Sequence, residues 1–345
     1  MANIKGLTGL ANLGNTCFLN SCMQVLSNTK ELNDIFNSKR QQIGEILENK
    51  EDKFHSSALL LNEWLDLKDL MWSKNCVISP GRFVKNVQKI ANEKDRDLFT
   101  GWAQNDLPEF LLFLFDSFNE ALSNKVSVVI SGNVKNQTDE LAKKCYNMIK
   151  TIYEKEYSPL LDLFYGISVT TITKENGKIL STIPEPFMML NLPLPSEKNL
   201  TLESCFDLYC KKELMDGDNA WFNENTGKKE DVNKGILFWS LPNILIIDLK
   251  RFNNASRKRQ DVIDIPLTNL DLSSYVIGYK RKSYIYDLYA VCNHEGGCSG
   301  GHYTATVRKD DNKWYNFNDT NIKEIKKNNV ISSKAYCLFY KKKHI

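Results

Sequence analysis

The feature that most constrains this chain is a change in the spacing of its apolar residues near position 160. Before that point the spacing is helical. Phe18, Leu19, Cys22, Met23, Val25 and Leu26 fit a helix buried on most of its circumference, and Leu60, Leu61, Trp64, Leu65 and Leu67 mark a second over 54–72. From Phe110 to Leu122 the pattern is apolar nearly all round at its start, hence deeply buried, and 139–153 carries one stripe through Leu141, Cys145, Met148, Ile149, Ile152 and Tyr153. Beyond 160 the apolar residues come in short β-branched or aromatic runs, at 166–173, 178–183, 187–192, 236–239, 244–250, 284–291, 303–308 and 313–317, with a last strand from Tyr336 to Tyr340. Lys309-Asp-Asp-Asn312 is a hairpin signal, and the polar stretch 211–234 reads as a loop or hairpin tip. A helical half followed by an antiparallel-sheet half makes an α+β chain.

Composition narrows the classes. The 345 residues, 42% hydrophobic and 25% charged, suit about two domains or one large elaborated one. A net charge of +3 is too small to indicate nucleic acid, and the basic stretches Lys250-Arg251, Arg257-Lys-Arg259 and Lys341-Lys-Lys343 read as solvated charge. No apolar run reaches the roughly 18 residues of a membrane span. Met1-Ala-Asn-Ile-Lys-Gly lacks a signal core, which points to a reducing compartment. The nine cysteines are odd in number and none forms a Cys-x-x-Cys pair, so no disulfide framework is visible. Lysine outnumbers arginine 37 to 8 and asparagine reaches 36, a bias that suggests an AT-rich genome such as a protist's or a large DNA virus's.

Cys17 stands where the loop Gly9-Leu-Ala-Asn-Leu-Gly-Asn-Thr16 becomes a helix. Free N–H groups and the helix dipole favour a thiolate there, so a lowered pKa is expected. Asn12 offers an amide N–H₂ to an oxyanion formed beside Cys17. His302 stands in Gly300-Gly-His-Tyr303 at a strand start, and Asn318-Asp319 closes the next strand, placed to orient its ring. Asp106-Leu-Pro-Glu109 has the form of a helix start with a cap, a proline and a glutamate three residues on.

These segments resemble the ubiquitin-specific proteases, papain-like cysteine deubiquitinases. Gly9 through Ser21 looks like the family's cysteine box, and Gly300–Thr306 followed by Trp314–Asp319 is similar to its histidine box. Gln104-Asn-Asp106 with Glu109-Phe110 resembles the Gln-Gln-Asp box with a departure at its second position. Leu163–Gly166, Pro242–Phe252 and Val291–His294 match further landmarks in order. The resemblance implies Cys17 as nucleophile, His302 as base, Asn318 as third triad member, Asn12 as oxyanion donor and Asp319 as a supporting residue. It implies that Asp106, Glu109, His294, Gly300, Gly301 and Tyr303 bind the substrate tail. The implied fold is a right hand within a single catalytic domain, 1–345. The helical thumb is 1–160, the fingers mainly 165–240 and the palm mainly 241–345. The implied partners are ubiquitin and ubiquitinated proteins, met by a monomer in the cytoplasm or nucleus (of a host cell, if viral), with no nucleic acid, membrane or cofactor.

Cys292, His294, Cys298 and His302 form a possible metal set, but their spacing matches no common zinc pattern. Many family members hold the fingertip with two Cys-x-x-Cys pairs. Here the corresponding stretches, Thr170–Lys174 and Trp221–Thr226, contain neither cysteine nor histidine, and Cys205 and Cys210 read as the core face of a helix. A zinc-free, mobile fingertip is therefore expected. Two alternatives to the hydrolase remain: a non-catalytic ubiquitin-binding scaffold of the same fold, and a protease for a ubiquitin-like modifier.

Overall fold

The apolar runs order themselves into helices first and sheets second. The computed structural model describes residues 4–196, 198–298 and 300–343. Up to Phe164 it contains α1 (Cys17–Ser27), α2 (Lys30–Ser38), α3 (Arg40–Glu48), α4 (His55–Ser73), α5 (Gly81–Glu93), α6 (Leu107–Ala121), α7 (Gln137–Glu156) and α8 (Pro159–Phe164). A short parallel pair, β1 (Gly9–Leu10) and β2 (Val77–Ile78), ties the loop before α1 to the chain after α4. Every residue of α1 is buried. Its polar side chains tolerate this by bonding to backbone: Gln24 Nε2 donates to Thr8 O at 2.8 Å and Ser27 Oγ to Gln24 O at 3.0 Å. Phe18 meets Phe110 of α6 edge-to-face at 5.1 Å, joining the two most apolar helices.

The second half supplies β3 (Gly166–Thr173), β4 (Ile179–Phe187), β5 (Met189–Pro193), α9 (Leu202–Cys210), β6 (Glu213–Met215), β7 (Trp221–Asn223), β8 (Lys228–Glu230) and β9 (Val232–Ser240). It continues with β10 (Ile244–Lys250), β11 (Leu270–Asp271), β12 (Ile285–Gly297), β13 (Gly300–Arg308), β14 (Trp314–Asn318), β15 (Asn321–Ile325) and β16 (Ala335–Lys342). The large sheet has the order β15-β14-β13-β12-β16-β10-β5, with β11 on β12. It is antiparallel except where β5 joins β10, and a second sheet runs β4-β3-β9-β6. The large sheet is covered on both faces. Ile244 and Ile246 of β10 enter the core shared with α1 and α6, while Leu245, Ile247 and Leu249 enter a second core with α9. Burial on both faces explains why β10 and β16 read as continuous apolar runs rather than as alternation.

Each helix and strand expected from spacing is present, with ends shifted by a few residues. The helices α2, α3, α5 and α8 were not foreseen, although Phe83, Val84, Val87, Ile90 and Ala91 give α5 a buried stripe. The stretch 211–234 holds β6 and the β7–β8 hairpin. Cys205 is buried on α9 as expected, whereas Cys210 at its end is half-buried.

At the tip of the smaller sheet, Glu230 links two hairpins. Its carboxylate accepts from Asn223 Nδ2 at 2.7 Å and Thr226 Oγ1 at 3.0 Å, and pairs with Lys174 Nζ at 3.0 Å across from the β3–β4 turn. Hydrogen bonds from Lys174, Asn223 and Thr226 hold its pKa below the ordinary value. Glu230→Ala should therefore loosen both hairpins together, seen as faster amide exchange at 174–178 and 221–230 with the global melting temperature unchanged. Exchange rising in only one hairpin would show that Glu230 does not couple them.

Candidate active site

The loop before α1 is shaped by one side chain. Asn12 Oδ1 accepts from Gly14 N and Thr16 N, both at 3.1 Å, while Gly14 (φ +107°) and Asn15 (φ +55°) occupy left-handed conformations. The turn delivers Cys17 to the first position of α1 with 3% of its surface exposed. Burial pushes the thiol above its ordinary 9.0, and the charge of Asp319 adds to the rise. The N–H groups of Tyr303, Phe18 and Cys17 itself oppose it without prevailing. The lowered pKa expected from the helix terminus is thus corrected: the shift runs upward, with desolvation by burial its largest cause.

His302 and Asn318 lie side by side on β13 and β14, with His302 Nε2 at 2.7 Å from Asn318 Oδ1. An amide oxygen accepts only, so the assigned orientation puts the ring proton on Nε2 and leaves Nδ1 as the base. The His302 side chain is 41% exposed. Asp319 follows in a left-handed conformation (φ +50°), its Oδ2 4.0 Å from His302 Nε2. Its carboxylate does something the spacing did not reveal. Oδ2 accepts from Asn12 Nδ2 at 3.0 Å, Oδ1 from the buried Asn20 Nδ2 at 2.8 Å, and the Asp319 carbonyl from Leu10 N at 3.0 Å. This one residue staples the histidine strands to the cysteine loop and to α1. Gly9 permits the approach, since a Cβ there would lie 2.7 Å from Thr320 O. No hydrogen bond joins Cys17 to His302 among the described residues.

The β12–β13 hairpin brings glycines together, Gly296 opposite Gly301 and Gly297 opposite Gly300. A Cβ on Gly301 would meet His294 Nε2 at 2.2 Å, so only glycine fits above that ring. Gly301 N–H donates to Gln104 Oε1, and Gln104 Nε2 donates to Asn15 Oδ1 at 3.3 Å, spanning from the helical half to the hairpin. His294 is 4% exposed and stacks on Tyr303 at 4.5 Å, with Lys258 Nζ at 2.8 Å from its Nδ1. Burial, then the Lys258 charge, depress its pKa to about 4. His294 is thus a ring packed beneath Gly301. Tyr303 is likewise buried, directing its N–H toward Cys17.

Asp106 caps α6 by position, but its side chain makes no cap bond, and the exposed Glu109 does not close a capping box. Instead Asp106 Oδ2 accepts from Tyr336 OH at 2.8 Å. Asp106 Oδ1 and Asp248 Oδ1 of β10 are buried without a hydrogen-bond partner. Burial, then the Asp106 charge, raise Asp248 to about 7, and burial raises Asp106 as well. Nothing in the sequence pointed to Asp248, a lone acid in an apolar strand. Among the described residues, no three His, Cys, Asp or Glu side chains converge on a metal position. Cys292 is buried against Ser21 O, and Cys298 is exposed near Ser256 O.

A cysteine at a helix start, a histidine–asparagine pair and an aspartate joining them specify a family when the whole chain agrees. The model of the ubiquitin carboxyl-terminal hydrolase family matches residues 8–340. The chain belongs to that family. It is 34% identical over 352 residues to ubiquitin carboxyl-terminal hydrolase 2 of Bos taurus, covering 97% of this chain and 55% of the relative. The Gallus gallus hydrolase 2 is 34% identical over 347 residues, covering 98% and 94%. Hydrolase 4 of Saccharomyces cerevisiae is 31% identical over 369 residues, covering 96% and 39%. The chain thus spans about half the length of several curated relatives it matches. Among solved structures, the SAGA DUB module of Ubp8, Sgf11, Sus1 and Sgf73 bound to monoubiquitin has a chain that superposes with a TM-score of 0.73 at 21% identity, covering 100% of this chain and 71% of that one. The same module with ubiquitin aldehyde gives 0.72 at 22%. These likenesses establish the α+β fold. The animal and yeast relatives do not support the viral or protist origin suggested by composition.

Two measurements follow. Between the ordinary carboxylate value of 3.8 and about 7, folded Asp248 keeps a proton that the unfolded chain has released. Its contribution to stability is therefore present at low pH and lost as pH rises through 7. Asp248→Asn should stabilise the chain by about 4 kcal/mol at alkaline pH, the gain shrinking toward acid pH. A gain independent of pH would remove ionisation as its cause. For Cys17, alkylation by iodoacetamide should keep accelerating about tenfold per pH unit past the ordinary thiol range. A plateau near neutrality would mean a thiolate at rest.

Proposed function

We propose that this chain is a thiol-dependent deubiquitinase that hydrolyses the peptide or isopeptide bond after the C-terminal glycine of ubiquitin. The observation that carries this reading is the Asp319 staple, which holds the Cys17 loop and the His302–Asn318 pair at one end of the cleft. His302 Nδ1 takes the Cys17 proton as sulfur attacks the glycine carbonyl carbon. The negative oxygen is held by backbone N–H groups at Cys17 and by the second amide N–H of Asn12, whose first is occupied by Asp319. Collapse breaks the C–N bond, and His302 returns the proton to the departing lysine amine. Water, deprotonated by His302, then attacks the thioester and releases the thiol. Asn318 orients the ring throughout.

Substrate binding completes this site. The thiol is protonated and unbonded to His302 at rest, and the Gln104–Gly301 bond crosses the path a tail must take. The absence of side chains at Gly300 and Gly301 suits a tail ending in glycines, which permit close approach. Arginines in the tail find the unpaired oxygens of Asp106 and Asp248 and the exposed Glu109. Ubiquitin as partner is supported by the relatives, one of which was solved bound to monoubiquitin. All nine cysteines are free, which suits a reducing compartment.

Ubiquitin bearing a C-terminal electrophile tests the reading. It should label Cys17 stoichiometrically, and Cys17→Ala should bind ubiquitin without turnover. Binding without labelling of the wild-type chain would indicate a scaffold, and faster labelling by a ubiquitin-like analogue would indicate a different modifier. Asn318→Ala should lose less kcat than His302→Ala, because Asp319 stands 4.0 Å from the same ring nitrogen.

A further inference from the structure

A cavity of about 390 Å³ opens between α7, α8, the end of β9 and the loop 277–284, and it shares no residue with the cleft above. Its lining is rich in aromatic rings. Trp239, 4% exposed, has Tyr146 at 6.0 Å and 88° and Tyr279 at 5.2 Å and 76°, both exposed and standing nearly perpendicular to the indole. Tyr153, Tyr165 and Tyr284 add three more rings.

One carboxylate shares the lining with these rings. Asp162 accepts from Tyr153 OH and Tyr157 OH, each at 2.6 Å, one on each oxygen. A carboxylate has about four acceptor positions, so both oxygens keep capacity. No lysine or arginine lines the cavity. Arg281 of the 277–284 loop donates to Ile277 O at 3.4 Å, and Lys342 lies over the Tyr284 ring at 3.9 Å. That last contact shows one of these rings already holding an ammonium group.

We propose that this cavity is a binding site for an organic ammonium cation, either a lysine side chain of a bound protein or a free alkylamine. Ring faces carry negative potential, and several rings around one point attract a cation more strongly than they attract a neutral group of the same shape. Asp162 supplies the compensating charge, while an anion would meet ring faces and a carboxylate together. The volume lies within the range of small-ligand sites.

The test uses the full chain and does not depend on turnover. The indole N–H signal of Trp239, assigned by its loss in Trp239→Phe, is followed during titration with tetramethylammonium, with Nα-acetyl-lysine amide and with neutral neopentyl alcohol. The two cations should shift it saturably and the alcohol should not. Asp162→Asn and Tyr146→Ala should each weaken cation binding about tenfold while leaving ubiquitin hydrolysis unchanged. Tighter binding of the lysine amide supports a protein side chain as the source, and tighter binding of tetramethylammonium supports a free amine. An equal response to the alcohol, no saturation, or undiminished binding in Asp162→Asn would overturn the proposal.

Discussion

The active end of the molecule depends on the Asp319 carboxylate. It bonds both to the loop preceding Cys17, through Asn12, and to the buried flank of α1, through Asn20. Charge-assisted bonds of this kind exceed neutral ones in strength, and here they connect segments some three hundred positions apart. The left-handed backbone at Asp319 and the missing Cβ at Gly9 are local conditions of the same contact. Without it, the cysteine loop and the histidine strands would be positioned by the Leu10–Asp319 backbone bond, the Gln104 bridge and the packing of α1 against the sheet.

Around that staple, burial shifts three titratable groups toward their neutral forms. Burial holds Cys17 as a thiol, His294 as a neutral ring and Asp248 close to its own titration point. Each shift has the same cause, which is removal from water without a full set of partners. Beside them the Gly301 N–H is held by Gln104, which reaches across from the helical half of the chain.

The smaller sheet shows a second economy of means. Glu230, Lys174, Asn223 and Thr226 make a polar clamp at the tip. Three donors on one carboxylate cross-link two hairpins, yet the group faces solvent. Screening therefore leaves it weaker than a buried tetrahedral site.

Much of this was legible in the residues themselves. Helical spacing before residue 160 and strand spacing after it dictate the α+β division, because side chains repeat every 3.6 residues on a helix and every 2 on a strand. The sequences around Cys17 and around His302 and Asn318 carry the resemblance to the family, whose model matches residues 8–340. The helices α2, α3 and α8 escaped because segments of six to nine residues are too short for a helical repeat to stand out. Beyond local pattern, only the tertiary structure decided which groups were to be desolvated and which distant side chains would meet. It buried Cys17 and so reversed the pKa expected of a helix terminus, put His294 beneath Gly301, set Asp248 within reach of the Asp106 charge and gave Asp319 its bonds to Asn12 and Asn20. Electrostatic environment is a property of surroundings assembled from remote parts of the chain, and the neighbours of a residue in sequence do not contain it.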